Sequence, residues 1–169
     1  QNFYDFPYDV IKNTAITSFY IAESCCAAKV SQYIYFGSSE SYAGGINLDI
    51  IDIPTSEKVP LIVEDVSNVR WSYALSKTLG ESVCHALDSQ FGFNFLILRI
   101  HNVYGPRMGD KHVIPDLIRK FKSGNNKVHG LHETRSFLFI DDLVKITAEL
   151  INKSIKRRSE EHTSELQSH

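Results

Sequence analysis

The segment Phe93-Asn94-Phe95-Leu96-Ile97-Leu98-Arg99-Ile100 most narrows what this chain can become. So dense an apolar run, of strand length, suits a strand covered on both faces, the environment found in parallel sheets. Parallel strands need helical crossovers, and the flanking sequence supplies them. Val10, Ile11, Ala15, Phe19, Ile21, Ala22 and Cys26 fall at helical spacing, so residues 10–28 read as a helix. Gln32-Tyr33-Ile34-Tyr35-Phe36 is a short buried strand stopped by a Gly-Ser-Ser turn. Residues 43–68, with Gly44-Gly45, Pro54 and Pro60, read as a long irregular loop, a kind of segment often functional. A second helix spans residues 71–91 and ends near Gly92. After the strand at 93–100, Asn102-Val103-Tyr104-Gly105-Pro106 reads as a turn, and residues 113–121 as a helix. Residues 127–129 are a weak strand candidate and 135–140 a better one, before a last helix capped by Asp141 and running to about Lys153. Helices alternating with apolar strands predict an α/β fold with a mainly parallel sheet.

Composition removes several classes of function. With 169 residues and 43% apolar content the chain suits one domain with a real core. A net charge of −2 without a basic block gives nucleic acid and membrane surfaces no purchase. The apolar stretches are too short for a transmembrane span, and Gln1 opens into Asn2-Phe3-Tyr4 without the pattern of a signal peptide, so a cytoplasmic location is expected. Cys25, Cys26 and Cys84 sit inside helical patterns without metal-ligand spacing, and His101, His112, His129 and His132 show none either. No metal is expected, and the thiols are read as free and mostly buried.

Chemistry enters with Tyr73-Ala74-Leu75-Ser76-Lys77 and the upstream turn Gly37-Ser38-Ser39-Glu40. Tyr73 and Lys77, four residues apart, share one helix face. An ammonium beneath a phenol pulls the phenol down from its usual value of about 10. A phenol so tuned takes a proton from a substrate hydroxyl as hydride leaves the same carbon. A hydroxyl from the Ser38-Ser39 turn would hold that oxygen. Alone, Y-x-x-x-K matches many amphipathic helices; its companions in order give it meaning. In parallel sheets ligands bind beyond the carboxyl ends of strands, so the turns after residues 36 and 100 are expected to open on one crevice.

Four segments together resemble the NAD-dependent epimerase/dehydratase family, the extended short-chain dehydrogenases that modify nucleotide sugars. They are Phe36-Gly37-Ser38-Ser39-Glu40-Ser41-Tyr42-Ala43; Tyr73-Ala74-Leu75-Ser76-Lys77 followed by Glu81; Arg99-Ile100-His101-Asn102-Val103-Tyr104-Gly105-Pro106-Arg107; and Thr134-Arg135-Ser136-Phe137-Leu138-Phe139-Ile140-Asp141-Asp142. The resemblance, over roughly residues 1–153, implies part of a Rossmann-like doubly wound parallel sheet with the start of a small substrate-binding region. It also implies bound NAD, a nucleotide-diphosphate sugar oxidised at C4 to a ketone, and then epimerisation, loss of water or loss of carbon dioxide. Tyr73 would be the base and later the acid, with Lys77 tuning it and holding the nicotinamide ribose. Ser38, Ser39 and Glu40 would act on the sugar, with Gly37, Ser38 and Val103 beside the cofactor. Asn102, Arg107 and Arg135 would meet the substrate, an Arg fork suiting phosphate. A homodimer through the helices near 10–28 and 71–91 is implied by analogy.

The turn bears on the reaction. Sugar 4,6-dehydratases commonly carry an Asp-Glu pair there; here the first position is Ser39 and only Glu40 matches. A Ser-Ser-Glu turn is similar to that of UDP-glucuronate decarboxylases, while 4-epimerases share Ser38, Tyr73, Lys77 and Asn102. Decarboxylase and 4-epimerase remain open, ahead of dehydratase. Gly37, Ser41 and Ala43 depart from the family's usual residues. A non-catalytic dinucleotide-sensing protein on the same fold would be expected to lose Tyr73 or Lys77, and both are present.

Both ends are expected to be cut. Residues 158–169 have no apolar periodicity and resemble a translated sequencing adapter, and without them the chain is formally neutral, with 17 basic and 17 acidic residues. The family's Gly-rich phosphate turn has no counterpart after Gln1, and Gly44-Gly45 does not replace it. The segment by itself is therefore expected to bind NAD weakly or not at all, to be inactive as a truncated piece, and to fold marginally.

Overall fold

The structure is a computed structural model that describes residues 2–110, 112–125, 127–128, 130 and 134–153, without the side chains of residues 2 and 3. The expectations for His129, His132 and residues 158–169 lie outside the described residues. Two compact units emerge, residues 2–99 and residues 100–153.

The first unit begins with α1 (Asn2–Asp5) and α2 (Pro7–Ile11), where Pro7 takes the first-turn position that needs no N–H. A π-helical turn, Lys12–Ile16, leads without a break into α3 (Thr17–Ala27). The predicted helix at 10–28 is thus part of a longer one. Strand β1 (Tyr33–Ser38) runs into a 3₁₀ turn, Ser39–Tyr42. Residues 43–68 are not wholly irregular, because α4 (Ala43–Asn47) forms within them. Gly45 permits it: a Cβ there would collide with the Ile51 side chain.

Helix α5 (Ser72–Phe91) follows a 3₁₀ turn at Val69–Trp71. Gly92 stops it in the left-handed conformation, φ 71°, and returns its N–H to the Asp88 carbonyl. Strand β2 (Phe95–Ile100) pairs with β1 in parallel, joined by α5 as the crossover. The core of the unit is Tyr35, Cys84, Phe93 and Phe95, with Cys25, Cys26, Tyr33, Leu87 and Ile97 packed around it. Each large apolar side chain buried here contributes about 1.5–3 kcal/mol. Gly80 lets α5 approach β1, because a Cβ at that position would strike the Tyr35 ring and hydroxyl. Cys25, Cys26 and Cys84 are free, and burial pushes the Cys84 thiol up to about 12.

In the second unit, residues 102–104 are not a turn. They form β3 (Asn102–Tyr104), paired in parallel with β4 (Phe137–Phe139) in the register Asn102–Phe137, Val103–Leu138, Tyr104–Phe139. Val103 and Tyr104 favour strand, and the distant Phe-Leu-Phe supplies the hydrogen-bonding edge that local sequence could not announce. Helices α6 (Val113–Lys122) and α7 (Ile140–Asn152) complete the unit. Asp141 does not cap α7. Phe139 holds the N-cap position without a side-chain hydrogen bond, and Asp141 and Asp142 lie in the first turn, where the helix dipole favours them. Residues 127 and 128 are not in a strand. Among the described residues the strands form two two-stranded sheets rather than one continuous sheet.

Candidate active site

Tyr73, Lys77, Ser38, Ser39 and Glu40 all belong to the first unit. Tyr73 and Lys77 sit in the first two turns of α5, and the lysine ammonium lies 5.8 Å from the Tyr73 ring centroid. Ser38 ends β1 and caps the following turn, its hydroxyl accepting the Glu40 N–H at 3.2 Å. That buried hydroxyl also hydrogen-bonds the Tyr73 phenol. Ser39 opens the 3₁₀ turn half-buried, and Glu40 projects from it exposed. The phenol, hydroxyl and ammonium anticipated from sequence thus converge.

Several contacts explain how α5 is registered against β1. Lys77 Nζ donates to the Phe36 carbonyl at 2.8 Å, and the Tyr35 hydroxyl donates to the Lys77 carbonyl at 3.3 Å. Thr78 Oγ1 donates to Ser41 Oγ at 3.2 Å. Gly37 is enclosed by protein, since a Cβ there would meet Glu81 Oε1 at 2.8 Å.

The electrostatics differ from the sequence expectation in one respect. The Tyr73 pKa is raised, not lowered, chiefly by burial; the Ser38 hydrogen bond opposes this and the Glu40 charge adds to it. Lys77 is itself held below its ordinary value by burial, with Glu81 opposing. Its ammonium donates to the Phe36 carbonyl, and lost solvation is the largest influence on the phenol.

Sequence reasoning missed Arg70. Its Nη2 pairs with Glu40 Oε2 at 3.4 Å, and its guanidinium carbon lies 4.7 Å from the Trp71 ring centroid. The Glu40 carboxylate is thus paired with a cation, while the Glu40 backbone N–H donates to the Ser38 hydroxyl. No local pattern signals a pairing across 30 residues. Arg99 and Glu81 were legible as motif residues, but not as partners: Arg99 Nη2 meets Glu81 Oε2 at 2.6 Å.

Asn102, Val103, Arg107 and Arg135 belong to the second unit. Asn102 Nδ2 donates to the Ser136 carbonyl at 3.1 Å and so ties β3 to β4. Val103 is half-buried on β3, and Arg135 is exposed. Arg107 has φ 66°, a left-handed conformation that costs a non-glycine residue about 1 kcal/mol. It lines a cleft of about 740 Å³ with Tyr104, Met108, Ile118, Arg119 and Phe139. Half-buried His101 is held below its ordinary pKa by desolvation. Among the described residues no three His, Cys, Asp or Glu side chains converge as metal ligands, and no helix is long and apolar enough to cross a membrane.

The site fits one end of a dinucleotide. Phenol, hydroxyl and ammonium are donors suited to a nicotinamide ribose. The glycines at 37, 44 and 45 are filled by Glu81, the Ile62 backbone and Ile51, and leave no cradle for a diphosphate.

Known proteins resemble this chain in sequence and in fold. The chain is 34% identical over 127 residues to the UDP-N-acetyl-alpha-D-glucosaminuronate decarboxylase of Bacillus cytotoxicus, across 72% of this chain and 37% of that protein. It is 29% identical over 137 residues to the dTDP-D-glucose 4,6-dehydratase of Dictyostelium discoideum, across 79% of this chain and 31% of the relative. A crystal structure of UDP-galactose 4-epimerase matches with TM-score 0.68 and 26% identity, over 87% of this chain and 45% of that one. The chain thus spans about a third of the curated relatives and under half of the solved enzyme. The family model for NAD dependent epimerase/dehydratase matches residues 2–162. Taken with the Tyr73–Lys77–Ser38 cluster on an α/β fold, that match over nearly the whole length means that the chain belongs to the NAD dependent epimerase/dehydratase family.

Proposed function

We propose that the full-length protein carrying this chain is an NAD-dependent nucleotide-sugar enzyme acting through a 4-keto sugar, with hexuronate decarboxylation as its first candidate reaction. The observation that carries the reading is the Tyr73 phenol hydrogen-bonded to the Ser38 hydroxyl, with Lys77 on the same helix face. NAD, held by Tyr73 and Lys77, would supply the acceptor for the C4 hydride and, in the redox-neutral reactions, the donor that returns it. Tyr73 takes the C4 hydroxyl proton as that carbon is oxidised, and Ser38 holds the oxygen. Lys77 would favour the phenolate that accepts this proton and would hold the nicotinamide ribose. Burial that raises the Tyr73 pKa suits the reverse half-step, in which the protonated phenol returns its proton to the C4 oxygen. A 4-ketone lies β to the C6 carboxylate of a hexuronate, so carbon dioxide leaves without the C5–C6 electron pair, which delocalises onto the ketone as an enolate that then takes a proton from water at C5. Glu40 and Ser39 would line the sugar; Arg107 and Arg135 would take the diphosphate, and Val103 would lie near the nicotinamide.

Decarboxylation is favoured by the Ser-Ser-Glu turn and by the uronate decarboxylase relative. The second reading, 4-epimerisation, is favoured by the Arg70–Glu40 pair, which gives that carboxylate a partner within the chain other than substrate. The full-length protein is to be incubated with NAD and UDP-glucuronate, UDP-N-acetylglucosaminuronate, UDP-glucose or dTDP-glucose, with product masses read. Loss of carbon dioxide from a uronate is the expected result. Unchanged mass with a changed sugar assigns epimerisation, and loss of water overturns both.

The protein is further proposed to be a cytoplasmic homodimer. Tyr8, Tyr20 and Ile21 on the N-terminal helices, and Leu79 and Phe91 on α5, are exposed apolar side chains that a second copy would cover. Sedimentation equilibrium at twice the monomer mass is expected, and a monomer at micromolar concentration removes this proposal. The three free thiols support a reducing compartment.

A further inference from the structure

Arg99 makes more contacts than its ion pair requires. From β2 its Nε donates to both Glu81 carboxylate oxygens at 3.0 Å, and its Nη2 reaches Oε2 at 2.6 Å. Its Nη1 faces elsewhere, donating to the Tyr42 hydroxyl at 2.7 Å and to the Glu57 carbonyl at 3.3 Å. The guanidinium carbon also lies 5.0 Å from the Tyr42 ring centroid. Glu81 and Tyr42 are buried, the Glu81 side chain to 4% exposure. Glu81 sits one helical turn beyond Lys77 and two beyond Tyr73, on their face of α5. Tyr42 closes the turn that begins with Ser39 and Glu40. One planar group therefore spans the helix that holds the phenol, the turn that holds the substrate-facing hydroxyls, and the long loop after it.

We infer that Arg99 is a positioning residue, which fixes the separation between the Ser39–Tyr42 turn and the Tyr73 face of α5, and the inference rests on the function proposed above. Stability alone would be served by the Arg99–Glu81 pair. The contacts to Tyr42 and Glu57 add a fixed distance between two catalytic segments, which a planar fork can hold and a flexible ammonium cannot. Of the other links described across this seam, Lys77 reaches the Phe36 carbonyl before the turn and Thr78 reaches Ser41, one residue short of its end at Tyr42. Reaction rates are sensitive to such spacing, because a displacement of about 1 Å costs on the order of 100-fold.

Two variants of the full-length protein separate positioning from stability. Tyr42→Phe removes one hydroxyl from the clamp and leaves Nη1 its bond to Glu57, and Arg99→Lys keeps a charge opposite Glu81 without the fork. Hydrogen exchange by mass spectrometry over residues 38–43 is expected to quicken about tenfold or more in both, while residues 84–91 keep their protection. Turnover is expected to fall about tenfold or more with KM within about twofold, because binding groups are untouched. Unchanged exchange at 38–43 in Tyr42→Phe overturns the inference. So does quickened exchange throughout α5 in step with a lower unfolding temperature, since that describes a purely structural pair. Should the wild-type protein convert none of the sugars, the proposed function fails, and the exchange comparison still decides the clamp.

Discussion

Two units of similar chemistry hold their candidate residues in different ways. In residues 2–99 the side chains at the site stand against a closed core, with Tyr35, Trp71, Ala74, Ser76, Glu81 and Cys84 nearly or fully buried. In residues 100–153 no described side chain is fully buried, and α6 and α7 leave Ile118, Phe121, Val144 and Ile151 about half exposed. The difference matches the tasks proposed for them. Proton transfer demands a fixed donor–acceptor distance, which packing on several sides enforces. Anchoring a diphosphate demands charge in reach, which an exposed arginine supplies from a thin layer.

The largest expected effect tests that division directly. Tyr73→Phe removes the proton-transfer group and leaves its packing, so turnover should fall by about 10²–10⁴-fold with KM and unfolding temperature little changed. Arg107→Ala should do the opposite, raising KM about 10- to 100-fold through one lost charged hydrogen bond while turnover holds. Steady-state kinetics of both variants in the full-length protein decide it. If Arg107→Ala lowers turnover as Tyr73→Phe does, the second unit does more than bind.

Packing should separate the units next. Gly80→Val drives a side chain into the Tyr35 ring at the α5–β1 seam and should destabilise by about 1–3 kcal/mol in urea titrations followed by Trp71 fluorescence. Asp116→Ala on α6 removes the pairs with Arg119 at 2.5 Å and Lys120 at 2.7 Å. Both lie on the surface, so the same titration should show no measurable loss.

How far the sequence foretold each unit follows from how local its signals are. Helix α5 was readable because Tyr73 and Lys77 mark one face and Gly92 supplies the left-handed stop. Strand β2 was readable because an apolar run needs no partner to be recognised. By contrast β3, three residues long, exists because Phe137–Phe139 lies alongside, and its first residue Asn102 and the Gly105 that follows it look like turn residues when read alone. The π-helical turn at Lys12–Ile16 has no pattern in the sequence that explains it. At the site, identities were legible and partnerships were not. Glu40 was visible as a carboxylate in a turn, but its pairing with Arg70 is a tertiary fact. The Tyr73–Lys77 spacing was read correctly, whereas the sign of the Tyr73 shift depends on burial, which spacing cannot report.

Stability against pH should also divide the units, more gently. Burial raises Tyr33 and Tyr35 from 10.0 to about 12, and Cys84 from 9.0 to about 12. Folded values above unfolded ones contribute stability that is complete below about pH 9 and is lost as pH climbs toward 12. In the second unit, desolvation lowers His101. A depressed folded value contributes stability that is present above about pH 6.5 and is lost as pH falls. Urea midpoints followed by Trp71 fluorescence should therefore decline on the alkaline side. Amide exchange over residues 100–104 should quicken on the acid side after correction for intrinsic rates. A first unit that gains stability as pH climbs toward 12, or a second that gains it as pH falls below about 6.5, contradicts the assignment of these groups.

The smallest effect concerns the charge beside the phenol. Glu40 raises the Tyr73 pKa through its negative charge, and Arg70 partly offsets that charge from 3.4 Å. Glu40→Gln removes the anion and leaves Arg70 cationic nearby, and both changes stabilise phenolate. Arg70→Met leaves the anion unopposed, which destabilises phenolate. The two variants should therefore move the Tyr73-dependent limb of the pH–rate profile in opposite directions, Glu40→Gln to lower pH and Arg70→Met to higher. A fall in turnover at every pH in Glu40→Gln, with no displaced limb, would mean that Glu40 handles a substrate proton itself. The carboxylate would then belong with Tyr73 among the catalytic groups, and Arg70 would be the residue that positions it.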